Sequence, residues 1–88
     1  MPKEVLDSIR KNILDAYAED VCFLELGPVH YRPRENHYRV EFTVADECVH
    51  SAKAMAHDIA TLVHDQVGNQ VGAFAYNSAG NPLARYVE

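Results

Sequence analysis

Residues 37–44, with the sequence HYRVEFTV, restrict the fold more than any other part of the chain. Polar and apolar side chains alternate strictly along this segment, which is the period of a β-strand. One side of the strand therefore carries tyrosine, valine and phenylalanine, and the other carries histidine, arginine, glutamate and threonine. This pattern predicts an antiparallel sheet with one face in the core and the other in solvent.

Two amphipathic helices are predicted, one before and one after this strand. The first spans residues 3–18, where apolar side chains recur every three to four positions. The second spans residues 46–67, because Asp46 suits the N-cap and Gly68 suits the C-terminal stop. Its predicted buried stripe consists of Val49, Ala52, Met55, Ala56, Ile59, Leu62 and Val63.

Three further segments have the features of strands. Residues 21–32 carry two alternating patterns that are out of phase, and Gly27-Pro28 lies where the phase changes. A glycine and a proline at such a point indicate a β-bulge or a bend. Residues 71–76 predict another strand, and residues 83–87 predict a short last strand or an ordered tail.

Together these elements predict an α+β fold. The expected architecture is a two-layer α/β sandwich in the order α-β-β-α-β, with a further β at the end. Its sheet is small and mostly antiparallel, and both helices pack on one face of it. A length of 88 residues, 48% of them hydrophobic, suits a single domain over residues 1–88.

The segment His37-Tyr38-Arg39-Val40, which precedes the second helix, is similar to strands of the BolA-like proteins. The order of elements resembles that of the KH-like folds, which include these proteins. It also resembles the cytoplasmic domains of cation-efflux transporters in its strand-then-helix pattern. Residues 45–60 match neither the aromatic-glycine loop nor the Arg-His-Arg helix motif of the BolA-like family. These likenesses concern the fold, and a shared fold does not assign a function.

The chain has two cysteines, Cys22 and Cys48, and begins without the apolar stretch of a secretion signal. Two thiols predict a protein of the reducing cytoplasm, and they are too few for a structural zinc site. We expect Cys22 to be a small core residue and Cys48 to be a thiol in the first turn of the second helix. No apolar run approaches the length of a membrane span, so no membrane partner is predicted.

Charge is distributed unevenly along the chain, which has a formal net charge of −5. Residues 28–39 hold three arginines and one glutamate, a local charge of +2, so the remainder carries −7. The acidic balance argues against nucleic acid as a partner, because binding to nucleic acid depends on neutralising phosphates.

The tripeptide His-Tyr-Arg occurs twice, at residues 30–32 and 37–39, on either side of a predicted turn at 33–36. A four-residue turn pairs the first residue of each tripeptide with the last residue of the other. The tyrosines then lie on the core side, and two imidazoles and two guanidiniums meet on the outer side. Such a group suits a phosphate, a carboxylate or an acidic protein surface. The predicted ligand-binding residues are His30, Arg32, His37 and Arg39; the alternative interpretation is a solvated sheet face.

The second helix also carries His50, His57 and His64 at seven-residue intervals. Neighbours in this series are about 10.5 Å apart along the helix, too far for one metal ion to bridge. We therefore predict an exposed ridge, which is either a polar helix face or a contact with a second subunit. No catalytic motif or phosphate-binding glycine loop is found, so neither an enzyme nor a cofactor is predicted.

The main functional hypothesis is a small cytoplasmic interaction module that self-associates or serves as an accessory subunit. Its expected partner is a second copy of the chain or another protein. The first alternative is binding of an anion, a small ligand or nucleic acid by the His-Arg group. The second alternative is a metal-responsive protein that uses histidines from more than one chain.

Overall fold

The computed structural model describes residues 3–88, and it confirms the predicted α+β fold with a fourth strand. The order of helices and strands is α-β-β-α-β-β, with a 3-10 helix between the second strand and the second α-helix. The elements are α1 (Lys3–Ala16), β1 (Phe23–Arg32), β2 (His37–Val44), the 3-10 helix (Asp46–Ser51), α2 (Ala52–Val67), β3 (Gln70–Tyr76) and β4 (Pro82–Val87).

The four strands form one mixed sheet in the order β1-β2-β3-β4. The pairings β1–β2 and β3–β4 are antiparallel, whereas β2–β3 is parallel. A parallel pair needs a crossover connection, and α2 supplies it between β2 and β3. The sheet is therefore mostly antiparallel, as predicted.

Both α-helices pack on the same face of the sheet. Helix α1 contacts β1 and α2, while α2 lies on β3 and β4. Their apolar stripes meet the inward side chains of β2 and β3 in one core cluster. The largest fully buried side chains in that cluster are Phe42, Ile9, Ile13, Ile59, Val40, Val44, Val63 and Val71.

Of the two features predicted for β1 at Gly27-Pro28, a bulge or a bend, the structure has the bulge. The β1–β2 register shifts between Leu26 and Val29. A Cβ atom at Gly27 would lie 3.1 Å from the carbonyl oxygen of Glu41, so glycine permits this close approach of the strands. The Gly27 carbonyl turns toward α1, where it accepts a hydrogen bond of 2.8 Å from Arg10 Nη1. The bulge therefore ties the sheet to the first helix.

The start of the second helix differs from the prediction. Helix α2 begins at Ala52 rather than Asp46, and a 3-10 helix with non-helical dihedral angles at Cys48 precedes it. Asp46 makes no capping hydrogen bond and instead accepts one of 2.9 Å from the Ser78 hydroxyl. Val49, predicted to be in the buried stripe, is 46% exposed because the break turns it away from the core.

The prediction of two free thiols is wrong, because Cys22 and Cys48 form a disulfide. Cys22 lies just before β1, and Cys48 follows β2 after a short connection. The antiparallel pairing of Phe23 with Val44 brings these two ends together, and the Cα atoms of the cysteines are 5.6 Å apart. Cys48 is buried, and Cys22 is partly exposed.

The C-terminal ends of both α-helices lie at or near their predicted positions. Helix α1 ends at Ala16, two residues before the predicted boundary. Helix α2 ends as predicted at Gly68, which adopts the left-handed conformation (φ 75°) and donates its N–H to the His64 carbonyl at 2.8 Å. Across residues 3–88, no helix is long and apolar enough to cross a membrane.

Tyr17 lies just beyond α1, and its ring stacks on Phe23 with a centroid distance of 5.1 Å. Burial, followed by the charges of Asp58 and Asp20, raises the pKa of the Tyr17 phenol to about 12. An unfolded tyrosine titrates near pH 10, so the folded state favours the protonated phenol. The resulting stabilisation is complete below pH ~10 and is lost as pH rises from about 10 to 12.

We therefore expect stability in urea to decline over that alkaline range by more in the parent chain than in Tyr17→Phe. Spectrophotometric titration of the phenolates checks the assignment, since Tyr17→Phe should remove a late-titrating group. If Tyr17→Phe removes a group that titrates near pH 10 instead, the expectation is wrong.

Candidate functional site on the open face of the sheet

The helices leave one side of the sheet uncovered by any other part of residues 3–88, and we call this side the open face. The strand register identifies its members, because paired residues point to the same side. Arg39 pairs with His30 and with Gly72, and Gly72 in turn pairs with Val87. The open face comprises Glu25, His30 and Arg32 from β1; His37, Arg39, Glu41 and Thr43 from β2; Gln70, Gly72, Phe74 and Tyr76 from β3; and Arg85 and Val87 from β4.

The strand pairing predicted for the two His-Tyr-Arg tripeptides is present. His30 lies opposite Arg39, and Arg32 lies opposite His37. Between them, Tyr31 and Tyr38 pair on the covered side, with ring centroids 4.7 Å apart. The residues on β1 are exposed, and those on the central strand β2 are half-buried. The four predicted site residues thus share the open face near the β1–β2 turn.

Arg39 interacts with two neighbours on the open face, Glu41 and Phe74. Its Nε donates a hydrogen bond of 3.1 Å to Glu41 Oε2, and its guanidinium carbon lies 3.9 Å from the centre of the Phe74 ring. The ion pair compensates its charge, and the stacking fixes the plane of the guanidinium. The open face therefore has an arginine–aromatic pair at its centre, with a carboxylate beside it.

Phe74 occupies the space that a side chain at residue 72 would fill. A Cβ atom at Gly72 would lie 2.9 Å from Phe74 Cε1 and 3.3 Å from His37 Nε2. The absence of a side chain at Gly72 leaves room for the aromatic ring at this position. On the opposite side of β3, Val71, Ala73 and Ala75 are buried under α2.

Tyr76 separates two shallow grooves on the open face. One groove of about 350 Å³ runs along β3 and β4 and is lined by Phe74, Leu83 and Arg85, among others. The other, of about 320 Å³, begins at the Gly27 bulge and reaches Tyr76 from the β2 side. Tyr76 lines both grooves, so it is the apolar centre of this part of the face.

The sequence could have indicated part of this group. In residues 72–76, glycine and aromatic residues alternate with alanines, which suggests that the alanines face a helix and the aromatics face outward. Phe23, by contrast, lies on the covered side, where it pairs with Val44. It stacks on Phe42 with a centroid distance of 5.9 Å.

The three histidines predicted to lie on the second helix do not form one uniform ridge. His64 is half-buried, and its Nδ1 lies 2.8 Å from the Asn69 carbonyl oxygen. The ring of His57 packs edge-on against Tyr86 at a centroid distance of 4.4 Å, and its Nδ1 is 3.5 Å from Asp58 Oδ1. His50 is exposed in the 3-10 helix. Within residues 3–88, no group of three or more His, Cys, Asp and Glu could hold a metal ion.

Charge is divided between the two layers of the fold. The helical segments, residues 3–20 and 46–67, contain four Lys and Arg against nine Asp and Glu, a net charge of −5. The sheet segments, residues 21–45 and 68–88, contain four of each, a net charge of zero. All three lysines lie in the helical segments, whereas four of the five arginines lie in the sheet segments.

Comparison with known proteins identifies no relative of this chain. No family model matches the chain. No curated protein matches it, and neither does any solved structure.

Proposed function

We propose that this chain is a self-associating interaction module and that the open face is the surface through which two copies meet. The observation that carries the proposal is the centre of that face. Phe74, Tyr76 and Val87 place apolar side chains on an uncovered sheet, and Arg39 stacks on one of them. Aromatic residues and arginine are the types most enriched in protein interfaces.

The surroundings of this centre suit a symmetric contact. His30, Arg32 and Glu41 supply a polar rim around the apolar side chains. In a two-fold contact the same surface is used by both copies, so each copy offers the other an arginine and a carboxylate. The positive charge of Arg39 in one copy is therefore complementary to the negative charge of Glu41 in the other copy, and the reverse.

The division of charge favours this surface over the helices. Contact through the helical layers would bring together two layers with a net charge of −5 each. The open face carries three arginines (Arg32, Arg39 and Arg85) against two glutamates (Glu25 and Glu41), so contact through it brings together two faces with a net charge of +1 each and keeps the acidic helices on the outside. Repulsion between like charges is therefore smallest when the open faces meet.

Two matched variants test the proposal. Val87, on the open face, is 48% exposed, and Leu14, on α1, is 45% exposed. We expect the parent chain to have a mass of about 20 kDa in light scattering at micromolar concentration, twice the 9.9 kDa of one chain. Val87→Glu should weaken this dimer at least ~10-fold, since it places a charge in the apolar centre, whereas Leu14→Glu should not.

Circular dichroism establishes that both variants are folded, and Tyr76→Glu provides a second substitution on the same face. A parent chain that is monomeric at these concentrations would contradict the proposal. Equal weakening by Leu14→Glu and Val87→Glu would also contradict it, because contact would then not be confined to the open face.

Anion binding is a second candidate, favoured by the exposure of His30 and Arg32 on the edge strand β1. The ion pair of Arg39 with Glu41 lessens the positive charge available to a ligand. Inorganic phosphate added to isotopically labelled protein should shift the amide resonances of residues 30–39 if this function is present. Arg32→Gln should abolish those shifts, while Arg34→Gln, in the turn, should retain them.

We further propose that the protein is located in the cytoplasm. This location requires that the disulfide can be reduced and formed again. Two free thiols were the basis of that prediction, and Cys22 and Cys48 are bonded. Disulfides that occur in the cytosol are usually transient and redox-sensing, because glutathione and thioredoxin keep thiols reduced. A cytoplasmic location therefore requires that this bond be reversible.

A further inference from the structure

The disulfide has one sulfur within reach of solvent and one in the core. Cys22 is partly exposed, and the preceding residue, Val21, is 85% exposed. Cys48 is only 7% exposed. An external thiolate must reach the sulfur that it attacks, so the accessible end of this bond is Cys22.

The surrounding backbone does not depend on the bond. The Ala45 N–H donates to the Cys22 carbonyl at 2.9 Å, and the Cys48 N–H donates to the Ala45 carbonyl at 2.9 Å. Next to these bonds, Phe23 pairs with Val44 at the end of the β1–β2 ladder. Hydrogen bonds thus join the same segments that the disulfide joins, and the fold can persist when the disulfide is reduced.

The bond does coincide with a break in helical structure. Cys48 lies within the 3-10 helix and has φ −115° and ψ 17°, so this helix is kinked at the disulfide. The apolar spacing nevertheless continues through the break, because Val49, Ala52 and Ala56 follow the i, i+3, i+7 pattern of the buried stripe of α2. Asp46 and Glu47 are favourable residues for the first turn of a longer helix.

We propose that Cys22–Cys48 is a reversible thiol–disulfide exchange site for a low-molecular-weight thiol, and that its reduction joins residues 46–51 to α2. The inference is independent of self-association through the open face. In the reduced chain, Val49 turns from solvent toward the core and continues the buried stripe of the helix.

The exchange proceeds in two displacements. The thiolate of glutathione attacks Cys22 Sγ, the disulfide breaks, and Cys48 leaves as a thiolate that takes up a proton. A second glutathione thiolate attacks the mixed disulfide at the glutathione sulfur and releases Cys22, which is also protonated. Two glutathione thiols are oxidised to one glutathione disulfide, and one protein disulfide is reduced to two thiols.

The test uses the full chain in mixtures of reduced and oxidised glutathione. We expect alkylation and mass spectrometry to show two free thiols in excess reduced glutathione and none in excess oxidised glutathione. On reduction, hydrogen exchange at the amides of residues 49–52 should slow at least ~10-fold as they join α2. The helical signal in circular dichroism should rise by up to about a fifth, since six residues join helices of 14 and 16.

Two single variants test whether the gain in helix on reduction depends on Val49. Val49→Gly should abolish the gain in helix on reduction, because glycine disfavours helix and removes the apolar side chain. Val21→Gly, also an exposed valine but outside both helices, should leave the gain intact. The variant Cys22→Ser with Cys48→Ser should show the longer helix without reductant.

Three results would overturn the proposal. One is a native chain that stays fully oxidised in excess reduced glutathione, which would make the bond a permanent structural crosslink. Another is a reduced chain whose residues 46–51 exchange as in the oxidised chain. The third is global unfolding on reduction, observed as loss of protection throughout β2 and β3.

Discussion

Replacing Phe42 with alanine should lower the free energy of unfolding by about 3–5 kcal/mol. Phe42 is 1% exposed on the central strand β2, and its ring stacks on Phe23. Its removal leaves a cavity between the sheet and both helices, which a small core cannot fill by shifting. A chain of 88 residues has a total stability of about 4–13 kcal/mol, so the loss is a large fraction of the whole.

Urea denaturation followed by circular dichroism measures this loss. Val21→Ala is the control, since Val21 lies at the surface and its truncation should change stability by less than about 0.5 kcal/mol. A loss below about 1 kcal/mol for Phe42→Ala would contradict the packing described for the core.

The double substitution Cys22→Ala with Cys48→Ala should destabilise the oxidised chain by about 3–4 kcal/mol. The disulfide closes a loop with a sequence separation of 26 residues, and such a crosslink restricts the unfolded chain. The variant should remain folded, because the backbone hydrogen bonds at Cys22 and Ala45 do not involve the sulfurs. Reductant should therefore lower the stability of the parent and leave that of the variant unchanged.

Urea denaturation with and without reductant separates the disulfide from the packing of its side chains. If the reduced parent and the double variant have equal stability, the whole effect belongs to the crosslink. A double variant as stable as the oxidised parent would show that the crosslink contributes nothing to folding.

Local patterns predicted the strands well, because each relevant rule acts over a few residues. The alternation in residues 37–44 indicates which side of β2 is buried, and Gly27-Pro28 marks the point at which β1 departs from regular pairing. The pairing of His30 with Arg39 followed from the length of one turn. In each case the residues that carry the signal are near each other in sequence.

The predictions that were wrong depend on contacts between distant residues. Cys22 and Cys48 meet only because β1 and β2 pair, and their separation in sequence gave no indication of the bond. The same contact accompanies the late start of α2, where an ordinary capping rule favoured Asp46. Rules that consider only neighbouring residues cannot predict a crosslink between residues that are far apart in the sequence.

The candidate site was predicted in part for the same reason. Arg39 and Glu41 are two residues apart on one strand, so their location on the same side of the sheet was visible in the sequence. The stacking of Arg39 on Phe74 was not, because it depends on the register between β2 and the parallel strand β3.

The placement of the lysines determines how this protein responds to amine chemistry. Lys3, Lys11 and Lys53 all lie in the helical segments, and the sheet segments contain arginine but no lysine. Coupling to a solid support through these side chains would therefore attach the protein by its helices and present the open face to solution. Amine-reactive crosslinkers would find none of these lysines on the open face, so two copies joined there would give few links between lysine side chains at the contact. Acetylation of lysine would likewise change the charge of the helices and leave that face chemically unaltered.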